Sequence, residues 1–221
     1  MIIMLFFLLQ LILVLMLGIL FLISFSFVSS ITTDLLIQII LSIFLTYFLA
    51  LFTLIIINKS ARVLMRIKEG EIEGFDVIFW AIQETSLDIA LTLSKKLFIH
   101  SPQPDWLFTL FGFKRRKGVS ILTRMWDLDL LNIDENTLIG PQTIVSGHHI
   151  RNKKLFRQRI IIGKNCTIGA GCIIGPGVKI GENTNVGYGS TIPPKWILES
   201  NALYVGVPVK KIKELDNIND E

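Results

Sequence analysis

Two uncharged apolar runs, a stretch mixing apolar and charged residues, and a strict six-residue repeat follow one another along the 221-residue chain. The first run covers residues 1–28 and the second 35–57; each holds one amide, Gln10 and Gln38, and no charged side chain. Each predicts a helix. Twenty-three residues at about 1.5 Å apiece reach about 35 Å, enough for a hydrocarbon core of about 30 Å. A cleaved signal peptide fits the first run poorly, because no basic residue precedes it and the apolar stretch is too long. The link 29–34 is short, so the two helices are expected to pair as a transmembrane hairpin, an anchor over residues 1–58. Lys59, Arg62, Arg66 and Lys68 follow the second run while the link has no Lys or Arg. The positive-inside rule then puts both ends in the cytoplasm.

From Ile162 an aliphatic residue returns every six places, at Ile168, Ile174, Ile180, Val186 and Ile192, and Gly follows each of the first five. Six suits neither a 3.6-residue helix nor simple strand alternation. It suits a parallel β-helix in which each hexad forms one short side and a turn. The aliphatic residue points inward, and the Gly beside it tolerates a turn conformation that a Cβ resists. A small residue four places on also points in: Cys166, Cys172, Val178, Thr184 and Ser190. The register runs back through Val145, Ile139 and Ile133, with Thr143 and Thr137 in the small places. It fades at Ile121, Asp127 and Arg115, where an inward Asp or Arg is costly, so that part reads as an imperfect opening coil. Val145 and Ile162 are 17 apart, not a multiple of six. Resumption at Phe156 predicts a five-residue excursion, whose polar, basic text 148–159 holds two of the three histidines. Loops thrown out of a solenoid tend to carry binding residues.

The connector, residues 59–114, predicts a helix over 75–99 broken by Pro102 and Pro104. Glu84, Asp88, Lys95 and Lys96 argue against a third span and favour a helix along the membrane surface. Aromatics in 106–113 precede Lys114-Arg115-Arg116-Lys117, a pattern that suits the headgroup region. A helical cap on the first coil explains the same residues. Residues 115–213 make the β-helix and 214–221 an acidic tail.

Hydrophobic residues at 51% and a mean hydropathy of +0.58 agree with a membrane segment. A net charge of +4 is too modest, and too concentrated beside the apolar runs, to suggest nucleic acid. Cys166 and Cys172 share the inward place and read as core. His148 occupies an outward hexad place and His149 the inward one, with His149 as possible support for its neighbour. His100 reads as a surface residue. A zinc site needs histidines converging from separate coils, and an adjacent pair does not provide that. An imidazole is suited to accept a proton near neutral pH.

Three motifs carry a resemblance: 139–148 followed by a loop and Ile160-Ile161-Ile162-Gly163; the hexads through Ser190; and Gly206-Val207-Pro208-Val209-Lys210. They resemble the hexapeptide-repeat acyltransferases of the maltose and galactoside O-acetyltransferase type, and the membrane-attached terminal domains of poly-lysine-synthetase-like enzymes. The last motif departs from Gly-x-Pro-Ala-Lys by Val209. The resemblance implies a left-handed parallel β-helix, a homotrimer, and acyl-CoA, most readily acetyl-CoA, along the cleft between subunits; no metal is expected from the placement of the histidines. It implies His148 as the general base; Ser146, two places before it, is a candidate further donor to the oxyanion. Gln142 stands where sugar acetyltransferases usually have Asn. Gly169, Ala170, Gly187, Tyr188, Pro208, Lys210 and Lys211 are implied at the CoA site. The expected activity is acyl transfer from acyl-CoA to a hydroxyl or amine of a membrane-proximal glycan, lipid or peptide. A non-catalytic trimeric scaffold, or a partner domain of a larger assembly, is the alternative.

Overall fold

The structure is a computed structural model that describes residues 2–65, 69–97 and 105–215. Arg66, Lys68, Ile99, His100, Pro102, Pro104 and the acidic tail from Asp216 lie outside the described residues, as do the side chains of Gln10, Lys95 and Lys96. The chain forms two units, Met1–Arg66 with Gly74–His100, and Ile67–Glu73 with Ser101–Glu221.

The first unit is helical. α1 spans Ile2–Ser29, α2 Leu35–Leu64 and α3 Phe75–Leu97. Asp34 starts α2 by accepting the Ile37 amide at 3.0 Å, so the polar link ends in an N-cap. α2 runs on past the apolar stretch, and Lys59 and Arg62 lie on its last turns. It is long and apolar enough to cross a membrane. α3 packs along both α1 and α2. A polar seam joins it to α2: Asn58 Nδ2 donates to the Gln83 carbonyl at 2.9 Å and to Ser86 Oγ at 3.0 Å. α1 and α2 also leave large side chains uncovered, among them Leu15, Leu22, Leu36, Phe48 and Phe52.

The second unit is a parallel β-helix with three sides. On one side Ile121, Ile139, Ile168, Val186 and Tyr204 stack from coil to coil. Ile133, Ile162, Ile180 and Leu198 form the second stack, and Val145, Ile174 and Ile192 the third. All of these residues are buried, as the hexad pattern requires. Thr137, Thr143, Cys166, Cys172, Val178, Thr184 and Ser190 fill the small inward places. Their hydroxyls and thiols donate across coils, Thr137 Oγ1 to the Gly163 carbonyl at 2.8 Å and Cys166 Sγ to the Gly181 carbonyl at 3.0 Å. Burial pushes both cysteine thiols up from their ordinary pKa, and both are unpaired core residues.

The hexad glycines have a different cause from the one expected. Gly169 is not at positive φ; a Cβ there would sit 2.7 Å from the Tyr188 amide nitrogen on the next coil. Coil spacing, not turn geometry, demands glycine. Positive φ falls at the corners instead; along one of them it is taken by Asn136, Asn165, Asn183 and Asn201, with φ between 53° and 55°, and elsewhere by Gln142, Lys195, Gly171, Gly177 and Gly189. The asparagine amides hydrogen-bond in a ladder, at 3.3, 3.0 and 2.8 Å. Asn tolerates this conformation better than most residues, so one residue type serves both turn and ladder.

The opening coil and the excursion also depart from the expected register. Met125, not Asp127, takes the inward place opposite Val145. Arg115 is exposed and donates to the Val119 carbonyl at 3.2 Å rather than facing the core. Ile133 pairs with Ile162, 29 residues on, whereas Ile162 pairs with Ile180, 18 on. The excursion therefore holds 11 extra residues (29 − 18), not five, and Phe156 does not restart the register. It is an antiparallel hairpin of His148–Arg151 and Lys154–Arg157, turned at Asn152 and Lys153, both at positive φ. Gly70–Ile72, from the connector, adds a third antiparallel strand against Lys154–Arg157. α4, Asp105–Leu110, belongs to this unit, and Leu107, Phe108, Phe111 and Phe113 are buried while Trp106 is 49% exposed. An antiparallel hairpin, Ala202–Gly206 with Val209–Glu214, closes the other end.

Candidate active site

His148 opens the hairpin where the chain leaves the coil, one coil away from the irregular segment 125–130. That irregularity has a chemical consequence. Asp127 adopts a left-handed conformation (φ 54°, ψ 50°) before the turn Leu128–Leu130, and its carboxylate is fully buried. Oδ2 accepts from His148 Nδ1 at 2.5 Å. Oδ1 accepts from Arg157 Nε at 3.0 Å. Arg157 is itself fully buried, and its Nη2 donates to Asp129 Oδ1 at 2.7 Å. Gly147 makes the approach possible, since a Cβ there would lie 3.0 Å from the Asp127 Cβ.

Burial alone raises the Asp127 carboxyl, but the hydrogen bond and charge of His148, together with Arg157, outweigh it and hold the group below the ordinary carboxylate range. Burial works against the Arg157 charge, and the two aspartates overcome it and raise its pKa. Asp127 is therefore a carboxylate at neutral pH. It fixes the tautomer with the proton on Nδ1, which makes Nε2 the basic nitrogen of His148. The His148 side chain is 21% exposed. A partly exposed imidazole backed by a buried carboxylate is the pairing used to take a proton from an attacking group.

Ser146 braces this arrangement: its hydroxyl donates to the His148 carbonyl at 3.1 Å and lies 3.2 Å from Nδ1. Its contacts are to His148 itself. His149 does not take the inward core place that the hexad count assigns, because the chain has already left the coil. Its ring stacks on Phe156 at 5.4 Å, and Nδ1 is buried without a hydrogen-bond partner. Burial first, then the charges of Lys195, Arg151 and His148, lower its pKa. Gln158 Oε1 is likewise buried and unpartnered. Gln142 is exposed at a coil corner with φ 59°.

The residues implied at a CoA site lie apart in the sequence and fall into two groups. The amides of Gly169 and Gly187 donate to the Val186 and Tyr204 carbonyls, both at 2.8 Å, and the Ala170 carbonyl accepts from Gly189 at 2.9 Å. These two N–H groups belong to the intercoil ladder and are not donors for a ligand. Tyr188, 79% exposed, offers its side chain instead. Pro208 and Lys210 are exposed in and beside the closing turn. Lys211 bonds Glu199 at 2.7 Å and Glu214 at 3.1 Å, which raises its pKa to about 12. Among the described residues no group of three or more His, Cys, Asp or Glu is placed to hold a metal ion.

The profile of the bacterial transferase hexapeptide (six repeats) family matches residues 159–194. Within the β-helix, residues 159–194 are thus similar to the hexapeptide repeat. Its fold is shared with a maltose O-acetyltransferase from Clostridium difficile 630 (17% identity, TM-score 0.50, covering 62% of this chain and 89% of that one). A hexapeptide-repeat-containing acetyltransferase from Vibrio cholerae is similar at 14% identity and TM-score 0.51, covering 67% and 97%. A galactoside acetyltransferase solved with coenzyme A matches at 24% identity and TM-score 0.40, covering 59% and 82%. The first two share the fold of the acetyltransferases that the repeat resembles, and none of the three bears on the poly-lysine-synthetase-like resemblance. No curated protein matches the chain.

Sequence reasoning singled out His148 and passed over Asp127, Asp129 and Arg157, which the structure gathers beside it. The signal was present at Asp127, a costly residue at a hexad place. Arg157 was hidden in a loop that looked solvated.

Proposed function

We propose that the protein is a membrane-anchored acyltransferase that moves an acyl group, most simply acetyl, from acyl-CoA to a hydroxyl or amine. His148 Nε2 takes the acceptor's proton as its oxygen or nitrogen attacks the thioester carbonyl. The CoA thiolate leaves when the tetrahedral intermediate collapses, and no covalent enzyme intermediate forms, since Cys166 and Cys172 face the core. One observation carries this reading: the buried Asp127 carboxylate bonded to a partly exposed His148. A scaffold has no use for a buried charge network at the root of a surface hairpin.

The donor follows from the hexapeptide-repeat resemblance, with Tyr188, Pro208 and Lys210 the exposed residues to receive it. Trimer formation is supported by Ile144 and Ile173, paired outward residues each 43% exposed in the single chain. Anchoring by both α1 and α2 is supported by the apolar side chains they leave uncovered, which suit lipid better than water. Lys59, Arg62, Arg66 and Lys68 after α2, against none in 29–34, favour a cytoplasmic catalytic domain. An acceptor held at the membrane, a lipid-linked glycan above all, follows from that anchoring. The test is incubation of the purified full chain in detergent with labelled acetyl-CoA and either extracted membrane glycolipids or free sugars. Label in the lipid fraction supports the proposal. No transfer and no CoA-dependent thermal shift would favour the scaffold.

A further inference from the structure

Arg157 is the largest fully buried side chain of the described residues, and it lies on the hairpin rather than in the coil core. Nothing in proton transfer at Nε2 requires a guanidinium on the far side of Asp127. Burying one is costly unless its geometry and bonding are satisfied. Here its fork is divided between two carboxylates, Nε to Asp127 at 3.0 Å and Nη2 to Asp129 at 2.7 Å.

The backbone of Arg157 is held as firmly as its head group. It pairs with Gly70 on the Gly70–Ile72 strand and with His148 on the other side of the hairpin. The added strand is tied by two ion pairs. Glu69 Oε1 accepts from Arg159 Nε and Nη2 at 3.0 and 2.7 Å, and Glu71 pairs with Lys154 at 2.5 Å. Ile72, opposite Leu155, is 2% exposed. A segment taken from the connector thus completes the sheet on which His148 and Arg157 face one another.

We propose that Arg157 is a positioning residue that sets the proton affinity of the Asp127–His148 pair, with the Gly70–Ile72 strand holding it in register. The assignment rests on the reading of His148 as the base, and it concerns how that base is tuned. The groups around the pair include Arg157 from the hairpin, Asp129 bonded to it from the opening coil, the Ser146 hydroxyl 3.2 Å from Nδ1, and the neighbouring ring of His149, itself near Lys195 and Arg151. A buried carboxylate bonded to an imidazole favours the imidazolium, which cannot accept a proton. Arg157 places a positive charge on the other oxygen of the same carboxylate. It opposes protonation of the pair, which leaves Nε2 free to accept the acceptor's proton. The fork also fixes the Asp127 rotamer, so that Oδ2 and not Oδ1 meets Nδ1.

Of the two forms of an imidazole only the neutral one reacts with diethyl pyrocarbonate, so the pH midpoint of its reaction with His148 reads this affinity without any substrate. The measurement uses the full chain in detergent, carrying His149→Gln so that peptide mass spectrometry sees His148 alone. Arg157→Met is expected to raise the midpoint by about one pH unit or more, with Arg157→Lys restoring most of the shift. An unchanged midpoint in an Arg157→Met protein with the parental circular dichroism would overturn the proposal. Should Arg157→Met fail to fold, Asp129→Asn tests the same link from the other side. Releasing the guanidinium from Asp129 concentrates it on Asp127, and the midpoint should fall; no movement would overturn the proposal. Because the readout precedes catalysis, it separates from acyl transfer: a shifted midpoint in a chain that transfers no acyl group would leave the tuning intact and remove only the acyltransferase reading.

Discussion

Asp127 and His148 are 21 residues apart, and 2.5 Å separates Oδ2 from Nδ1. The contact exists because the first coil breaks register after Met125 while the chain leaves the coil after Val145. Two local irregularities on adjacent coils face each other. Each taken alone looks like a flaw in a repeat; together they hold a buried carboxylate against a partly exposed imidazole.

His148→Ala should lower kcat for acyl transfer by about 100-fold or more while leaving folding and CoA binding close to parental. Asp127→Asn should also lower kcat, because the amide can hold Nδ1 in the wrong tautomer. Steady-state kinetics on the two variants check this. Full activity in His148→Ala with loss in His149→Ala would transfer the base to His149.

The Asp127 carboxyl is held below its ordinary value of 3.8 in the folded chain. A depressed folded pKa contributes stability that is present above the unfolded value and lost as pH falls through the folded one. Melting temperature should therefore drop on acidification below about pH 4. In Asp127→Asn, less stable at neutral pH, the drop over the same interval should be shallower. Thermal melts from pH 6 down to 3 make the comparison, and parallel curves would show that the network contributes nothing to acid sensitivity.

Packing and corner geometry separate in a second pair of variants. Ile174 stacks between Val145 and Ile192 and is 1% exposed, so Ile174→Asp buries an unpaired charge and should unfold the β-helix. Asn183 sits at φ 53° and bonds both Asn165 and Asn201. Asn183→Ala loses the ladder and strains the corner, at a cost of about 2–3 kcal/mol, whereas Asn183→Gly loses only the ladder, about 1 kcal/mol. Denaturant melts that rank Gly no better than Ala would place the whole effect in the amides.

Topology is accessible to labelling. Cys166 and Cys172 are buried, so cysteines placed at Ser30 and Lys153 report alone. An impermeant thiol reagent added to intact cells should reach Ser30→Cys and not Lys153→Cys. The reverse pattern would invert the orientation, and protection of both would remove the outward-facing link.

The repeat was legible because a coil side is a local object. Six consecutive residues decide which of them faces in, and the same six-residue rule applies on every side, so Ile162 to Ile192 could be placed without knowing anything else. The apolar runs were legible for the same reason, since length and lack of charge decide whether a helix suits a bilayer. His148 stood out through its place at the end of the last regular hexad and its likeness to a known motif. The rest required distance in sequence to become closeness in space. Five or 11 inserted residues look alike in a loop whose pairing partner, Gly70–Ile72, lies more than 70 residues upstream. The reason for Gly169 lay on the next coil, at the Tyr188 amide, where no local rule could find it. Asp127 and Arg157 read as a misplaced acid and a solvated base. Only the folded chain brings them within 3.0 Å, where each offsets the other's burial and both act on His148.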